Sequence, residues 1–483
     1  VTGCNRWIRG AVLAAALMAL PTRWEAAAAA AQGAPGPATA PAAPAPAASP
    51  APPAGPPVEP APGGAGAAGT PGAAEAPVPA ADGTLRLTRR QAVAEALAHN
   101  PGILAAVQQV EEARAQVITA AAFADPTLSA DTMGETHPLD IGSGSGNIFD
   151  LYFGFTVPFP GKRSLRRAVA TATLRAAEFT LTQTRNQAAA QAAQDYDALL
   201  VALRHRVDLL ESKKFSADFL AKTEARYLGG TAAKVDVVKA KVDLAQADND
   251  LIANERTIDA ARATLNRLFG RLGGAAVEPA EELTVPGALP DVAELERLAE
   301  STRPELQSLA AQRQGARSAT RLAREFWAPD FTVTLARNEL RGGPTTYTST
   351  LLIGFPIFFW QHEKGEVANA EHRELELAAD TTDESAQVSL DVRSAYSTAA
   401  TALRQVVFIR DELLPEAREV YRVASLSYGL GATSALDFLD AKRTLVDAER
   451  QYVDALGSAN DAQAALEQAV GAPLPAAGPG GKT

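Results

Sequence analysis

The chain has 483 residues, 47% of them hydrophobic but only 6% aromatic, with a formal net charge of -11 and a pI near 5.2. Abundant alanine with few aromatics favours slender, helix-based packing over a thick globular core, because alanine is the best helix former and lets helices approach closely. An acidic balance with no basic cluster interleaved with aromatics excludes a nucleic-acid partner.

Residues 1–30 have the layout of a secretory signal peptide: Arg6 and Arg9, an apolar run from Ala11 to Leu20, then small residues from Ala26. The run is too short to span a bilayer as a helix. The only cysteine, Cys4, precedes it, so the mature chain is expected to hold neither a disulfide nor a thiolate metal site. Residues 31–83 are almost wholly Ala, Pro and Gly, which reads as an extended disordered linker, either inert or spanning a cell-wall layer.

A first ordered unit is expected over residues 84–270. Helical patterning starts at the N-cap candidate Thr88 and continues to about Phe123, with a break at Pro101-Gly102. Strands follow at about 126–133 and 148–157. In the second of these Phe149, Leu151, Phe153, Phe155 and Val157 alternate with Asp150, Tyr152, Gly154 and Thr156. From Gly161 to Leu228 the pattern is helical without a proline, about 100 Å of helix, with Leu199, Leu203, Val207 and Leu210 spaced like a coiled-coil seam. Gly229 and Gly230 break it, and a shorter helix runs from about Val235 to Gly270.

After a linker at 271–290, expected to run along the outside, the order recurs over 291–471. A broken helix with Arg303-Pro304 at the break precedes strands at about 331–337 and 348–355. A long helix runs from Glu363 to Tyr428, with Leu403, Val407, Leu414, Ala417 and Tyr421 on one stripe and Pro415 interrupting it. Gly429 and Gly431 then make a turn into a helix from Leu436 to Gly471, and 472–483 is a loose tail. Asn100-Pro101 with Arg303-Pro304, Pro158 with Pro356, and the turns Tyr227–Lys241 and Tyr428–Lys442 keep nearly one offset, which marks a tandem duplication.

The strands are long enough to cross a bilayer at a tilt, and Phe159, Phe358, Phe359 and Trp360 gather at one end as an interfacial girdle would. Two hairpins packed on a soluble core would show the same alternation. Four strands cannot close a barrel, and open edges in lipid leave backbone groups unsatisfied, so a membrane reading requires several chains per barrel.

Across nearly all of residues 85–471 the chain resembles the TolC family of outer-membrane efflux channels. The stretches that carry the resemblance are LTRRQAVAEALAHNP, VPFPGKRSLRRAVA, YLGGTAAKVDVVKAKVDLAQA and SYGLGATSALDFLDAKRTLVDAERQY. It implies a mainly helical fold: a long antiparallel coiled-coil tunnel, four transmembrane strands per chain, and a homotrimer closing a twelve-stranded barrel. It also implies a periplasmic adaptor, an inner-membrane pump of the RND type, contact with outer-membrane lipid, and no cofactor. By the resemblance, Asp437 and Asp440 line the periplasmic constriction, and the turn glycines Gly229, Gly230, Gly429 and Gly431 sit at the helix tips where the adaptor docks. Tyr428 and Asp236 match gate contacts, while Thr433 stands where some members have an arginine, with Arg226 and Lys234 as the nearby bases. Asp437 also fits a plain helix-N-terminal charge.

The family does no chemistry, and the sequence holds no phosphate loop, activated nucleophile or paired histidines at ligand spacing. His99, His137, His205, His362 and His372 read as ordinary surface histidines, and no metal site is assigned. FPGKRSLRRA is similar to members serving heavy-metal efflux. Multidrug export or type I protein secretion through the same fold, or a non-conducting coiled-coil envelope protein, remain the other readings.

Overall fold

The computed structural model describes residues 85–133, 148–271, 276–340, 343–355 and 359–474. The expected signal peptide, the Ala/Pro/Gly linker with Cys4 ahead of it, and His137 lie outside the described residues, as do the side chains of Phe358, Phe359, Trp360 and His362.

Strand β1 (Leu85–Leu87) leads into α1 (Arg89–His99), α2 (Pro101–Ala121), strands β2 (Thr127–Met133) and β3 (Ile148–Val157), and helices α3 (Lys162–Leu228) and α4 (Lys234–Leu268). After β4 (Val277–Pro279) the order repeats as α5 (Val292–Thr302), α6 (Pro304–Arg324), β5 (Asp330–Leu340), β6 (Thr346–Gly354), α7 (Phe359–Phe408), α8 (Leu414–Gly429) and α9 (Ala435–Val470).

Local chemistry accounts for the boundaries. Thr88 accepts from the Gln91 amide while the Gln91 side chain accepts from the Thr88 amide, a capping box that starts α1. Asn100 ends α1 and caps α2, its carboxamide oxygen accepting from Gly102 at 2.7 Å, with Pro101 at the position where no amide donor is needed. In the second copy Arg303 stands there without a cap bond; its guanidinium reaches Asp391 of α7 at 2.8 Å instead.

The long helix α3 lies against α1, α2 and α4 of its own half and against α6 and α9 of the other. Small residues make this packing close: a Cβ on Gly457 of α9 would sit 2.6 Å from Val201 Cγ2. One buried cluster joins Leu87, Ala96, Tyr196, Leu199, Leu265 and Val277, and another joins Leu295, Val388, Val392, Val406, Leu456 and Leu466. The Tyr196 hydroxyl donates to the Leu87 carbonyl at 2.9 Å inside the first.

Three expectations need correction. The linker is not simply external: β4 pairs in parallel with β1, Val277 opposite Leu85, and Val277 is fully buried. The tail is not loose at its start, since Ala472 and Leu474 pack on the second cluster. The seam also departs from its expected course. Val207 and Leu210 are half exposed, and burial along lower α3 moves to Ser212, Ser216, Phe219 and Thr223, the face that meets α9. In the second half Val407 is exposed where Val406 is fully buried.

The cause of that last shift is a π-helical stretch, Ile409–Leu413, between α7 and α8, with Pro415 in the first turn of α8. Proline cannot donate, and its ring would strike the carbonyl four residues back in a regular helix; an i→i+5 turn takes up one more residue and moves that carbonyl aside. Tyr396 and Tyr428 are accordingly one residue further apart than Tyr196 and Tyr227.

Four strands form one antiparallel sheet in the order β2-β3-β5-β6. In register, Leu128, Phe153, Leu335 and Ser349 share one row, and Phe155, Val333 and Leu351 the next row of that face. The other face carries Thr127, Gly154, Thr334 and Thr350, with Asp131, Asp150 and Asn338 further along. Its Thr156 and Thr332 hydroxyls are hydrogen-bonded at 3.0 Å. At the foot of the sheet buried Lys162 donates to the Ala328 carbonyl at 2.7 Å and to Asp330 at 3.0 Å, tying the start of α3 to the start of β5.

Candidate functional site: the helix turns

The α3–α4 and α8–α9 connections are built alike. Thr231 and Ala432 donate back to the Arg226 and Ser427 carbonyls at 2.9 Å, and Gly230 and Gly431 to Tyr227 and Tyr428. These are Schellman closures, and they require the left-handed backbone that Gly230 (φ 75°) and Gly431 (φ 79°) supply. Leu228 and Leu430, at 85% and 86% exposure, stand at the two turns almost wholly in solvent.

The helices that follow start differently. Ser434 caps α9 and accepts from the Asp437 amide, while the Asp437 carboxylate accepts from the Ser434 hydroxyl at 2.8 Å. Helix α4 begins at Ala233 with no side-chain cap, and Asp236 sits in its first turn. Asp437 is therefore a capping residue as well as an exposed carboxylate. Asp440, one turn on, is exposed, so both aspartates stay on the surface of this single chain.

Within one chain the gate residues have other partners. Tyr428 is buried, and its hydroxyl pairs with Thr223 at 2.9 Å, not with Asp236. Arg226 donates to the Tyr428 carbonyl at 2.8 Å and lies 4.6 Å above its ring. The arginine at this junction thus comes from the first turn, not from the position of Thr433, which is half-buried, and exposed Lys234 takes no part among the described contacts. Phe219 stacks on Phe438 with ring centroids 4.7 Å apart and lies 5.3 Å from Tyr428. Just above, buried Lys442 of α9 bonds Asp243 of α4 at 2.7 Å and the Ser216 hydroxyl of α3.

Thr223, Arg226 and Phe219 carry this junction; Thr223 and Phe219 were not readable from spacing, because each acts across about two hundred residues of sequence, and Arg226 was in view only as a base near the first turn. The S-x-x-D spacing of Ser434 and Asp437 was a readable cap signal. His205 is not an ordinary surface histidine: its Nε2 lies 2.8 Å from Asp454 Oδ1, bridging α3 and α9. Higher up, Arg89 donates to buried Asp197 at 3.1 Å. Burial pushes the Asp197 carboxyl up to about 6 against the pull of Arg89, with Asp461 nearby adding to the rise. No helix among the described residues is long and apolar enough to cross a membrane.

The model of the family described as outer membrane efflux protein matches residues 92–271 and 295–472. The chain belongs to the outer membrane efflux protein family. It is an outer-membrane efflux channel and not an enzyme, and channels of this kind work with adaptors and inner-membrane pumps. A curated relative, the cobalt-zinc-cadmium resistance protein CzcC of Cupriavidus metallidurans, is 24% identical over 393 residues, 80% of this chain and 90% of the relative. The fold is that of solved structures titled for CusC and for VceC of Vibrio cholerae. The first has a TM-score of 0.68 at 19% identity, covering 80% of this chain and 92% of that one. The second has a TM-score of 0.66 at 18% identity, covering 80% and 96%.

Proposed function

We propose that three copies close one twelve-stranded barrel over a helical tunnel, a passive exit duct for divalent metal cations delivered by an RND-type pump and its adaptor. The two repeats would be bounded at 84–270 and 291–471. The observation that supports this best is the four-stranded sheet. Leu128, Phe153, Leu335 and Leu351 on one face are 44–71% exposed, while the opposite face is mostly polar or small, with Leu352 as an exposed exception. That is what a sheet with lipid on one side and an aqueous lumen on the other requires. Its edges β2 and β6 lack partners among the described residues, and edges in lipid must pair with another copy.

Asp437 and Asp440, exposed beside the second turn, would repeat around a threefold axis as two carboxylate rings that favour cations. Gly229, Gly230, Gly429 and Gly431, with Leu228 and Leu430 beside them, would form the tips that meet the adaptor. The resistance named for the curated relative supports cobalt, zinc and cadmium as cargo. Deletion of the gene tests this: growth is expected to fail in cobalt, zinc or cadmium at concentrations the parent strain tolerates, with drug and detergent tolerance unchanged. Broad drug and detergent sensitivity would replace metals with a multidrug cargo.

A further inference from the structure

The foot of the sheet carries a band of arginines beneath its aromatic residues. Phe123 packs on Phe155 with ring centroids 6.1 Å apart, which joins it to the apolar face of Val333 and Leu351. Just past the end of β3, Phe159 meets Trp327 at 6.2 Å, and Trp327 is 52% exposed. The Arg163 guanidinium lies 4.2 Å over the Phe123 ring and its Nε donates to the Ala121 carbonyl, so the side chain is held while its two terminal nitrogens have no partner among the described contacts. Exposed Arg167 follows one turn later on α3.

Helix α6 runs antiparallel to α3, since Gly315 abuts Ala172 while Ala328, just past α6, accepts from Lys162. Exposed Arg321 lies between those two levels, as Arg167 does. Arg317 and Arg324 of α6 are bonded to Glu374 and Glu371 of α7, but Arg163, Arg167 and Arg321 have no carboxylate partner among the described contacts. Glu325 faces Gly161 at the start of α3 instead. In a chain of formal charge -11 this is a local surplus of positive charge. It also lies on the apolar side of the sheet. Ala319, Ala323 and Phe326 of the α6 stretch line a cavity with Thr332 and Leu352 from the other face, and the helical period puts Arg321 opposite those three residues.

We propose that this band binds the phosphates of anionic phospholipids, Arg163 on its Phe123 seat and Arg167 and Arg321 beside it, in the leaflet that meets the helical side of the sheet. The inference rests on the membrane reading above and names the lipid that meets it. A guanidinium presents paired N–H donors that match two phosphate oxygens, and stacking on a ring removes water from one of its faces. Aromatic residues settle at headgroup level, which places the band beside the lipid phosphates. A glycerol headgroup leaves the phosphate charge uncancelled, whereas a choline headgroup brings a cation that the arginines repel. Helix α3 follows β3 and α6 precedes β5, the two inner strands, so pairing of the edges β2 and β6 with other copies leaves the band open.

The test is native mass spectrometry of the full chain in a neutral maltoside detergent with equal amounts of phosphatidylglycerol and phosphatidylcholine, alongside flotation on phosphatidylcholine vesicles. The parent is expected to retain phosphatidylglycerol about fivefold or more over phosphatidylcholine, the factor one basic residue contributes at an anionic membrane surface. Replacing Arg163, Arg167 and Arg321 together by Gln is expected to bring the ratio to about one. Arg167→Gln with Arg321→Gln, which removes no described side-chain contact, is expected to lower the ratio about twofold or more without loss of flotation. A parent that floats but retains both lipids equally overturns this inference alone. Variants that float and keep the parent ratio overturn the assignment to these arginines, and release of phosphatidylglycerol by an equal concentration of free glycerol phosphate overturns the lipid as occupant. A parent that does not float overturns the membrane reading and this inference with it.

Discussion

Helix α3 runs unbroken from Lys162 to Leu228, while the matching stretch from Phe359 to Gly429 is divided by a π turn ahead of Pro415. Below that division the two copies have exchanged roles. Lower α3 turns Ser216, Phe219 and Thr223 inward against α9, and lower α8 turns Val420, Val423 and Leu426 outward. The difference teaches that duplication preserved the turns and helix lengths but not the use of each face: the positions that α3 buries at Phe219 and Thr223 are exposed or unpaired on α8, which keeps Leu414, Ala417 and Tyr428 inside instead.

The comparison breaks most readily at its aromatic centre. Phe219→Ala is expected to destabilise the chain by about 3–5 kcal/mol, the range for truncating a buried phenylalanine, and Val420→Ala by less than about 1 kcal/mol in the isolated subunit. Denaturant unfolding in detergent checks both, and equal losses would erase the asymmetry. Next in size is the lysine pair. Lys442→Met strands the Asp243 carboxylate and is expected to cost about 3 kcal/mol or more, whereas Lys241→Met removes only an exposed pair and is expected to cost under about 1 kcal/mol.

The buried Asp197 gives a pH signature to the region where α1 meets α3. Its folded value near 6 lies above the ordinary unfolded value near 4, so the folded state holds the proton more tightly. Its stabilising contribution is therefore complete below about pH 4 and is lost as pH rises through 6, a span of at most about 3 kcal/mol. Asp197→Asn is expected to flatten the stability profile between about pH 4 and 6 relative to the parent; parallel profiles would refute the assignment. The smallest effect is predicted at the π turn. Pro415→Ala restores an amide donor but leaves the extra residue in place, so stability is expected to change by less than about 1 kcal/mol and the turn to persist in a structure of the variant.

Elements with local causes were legible in the sequence. The Thr88 box, the Asn100-Pro101 break and the two glycine turns are set by residues within a few positions of one another, and the sheet was legible from the period of two in Phe149–Val157. Features created by distant partners were not. The pairing of Leu85–Leu87 with Val277–Pro279 involves strands too short to leave a period, and Arg226 meets Tyr428 only because two turns are brought level. The stripe through Val207 and Leu210 was misread because spacing shows that a face is apolar, not what covers it.

The central claim, that this chain forms a conducting duct with a carboxylate mouth, is tested most directly by single-channel recording of the purified protein in planar bilayers. The account predicts discrete conductance steps with a preference for cations, and a clear loss of that preference in the Asp437→Asn, Asp440→Asn double variant. A heat-stable oligomer that never conducts would contradict it and make the chain a structural coiled-coil protein of the envelope.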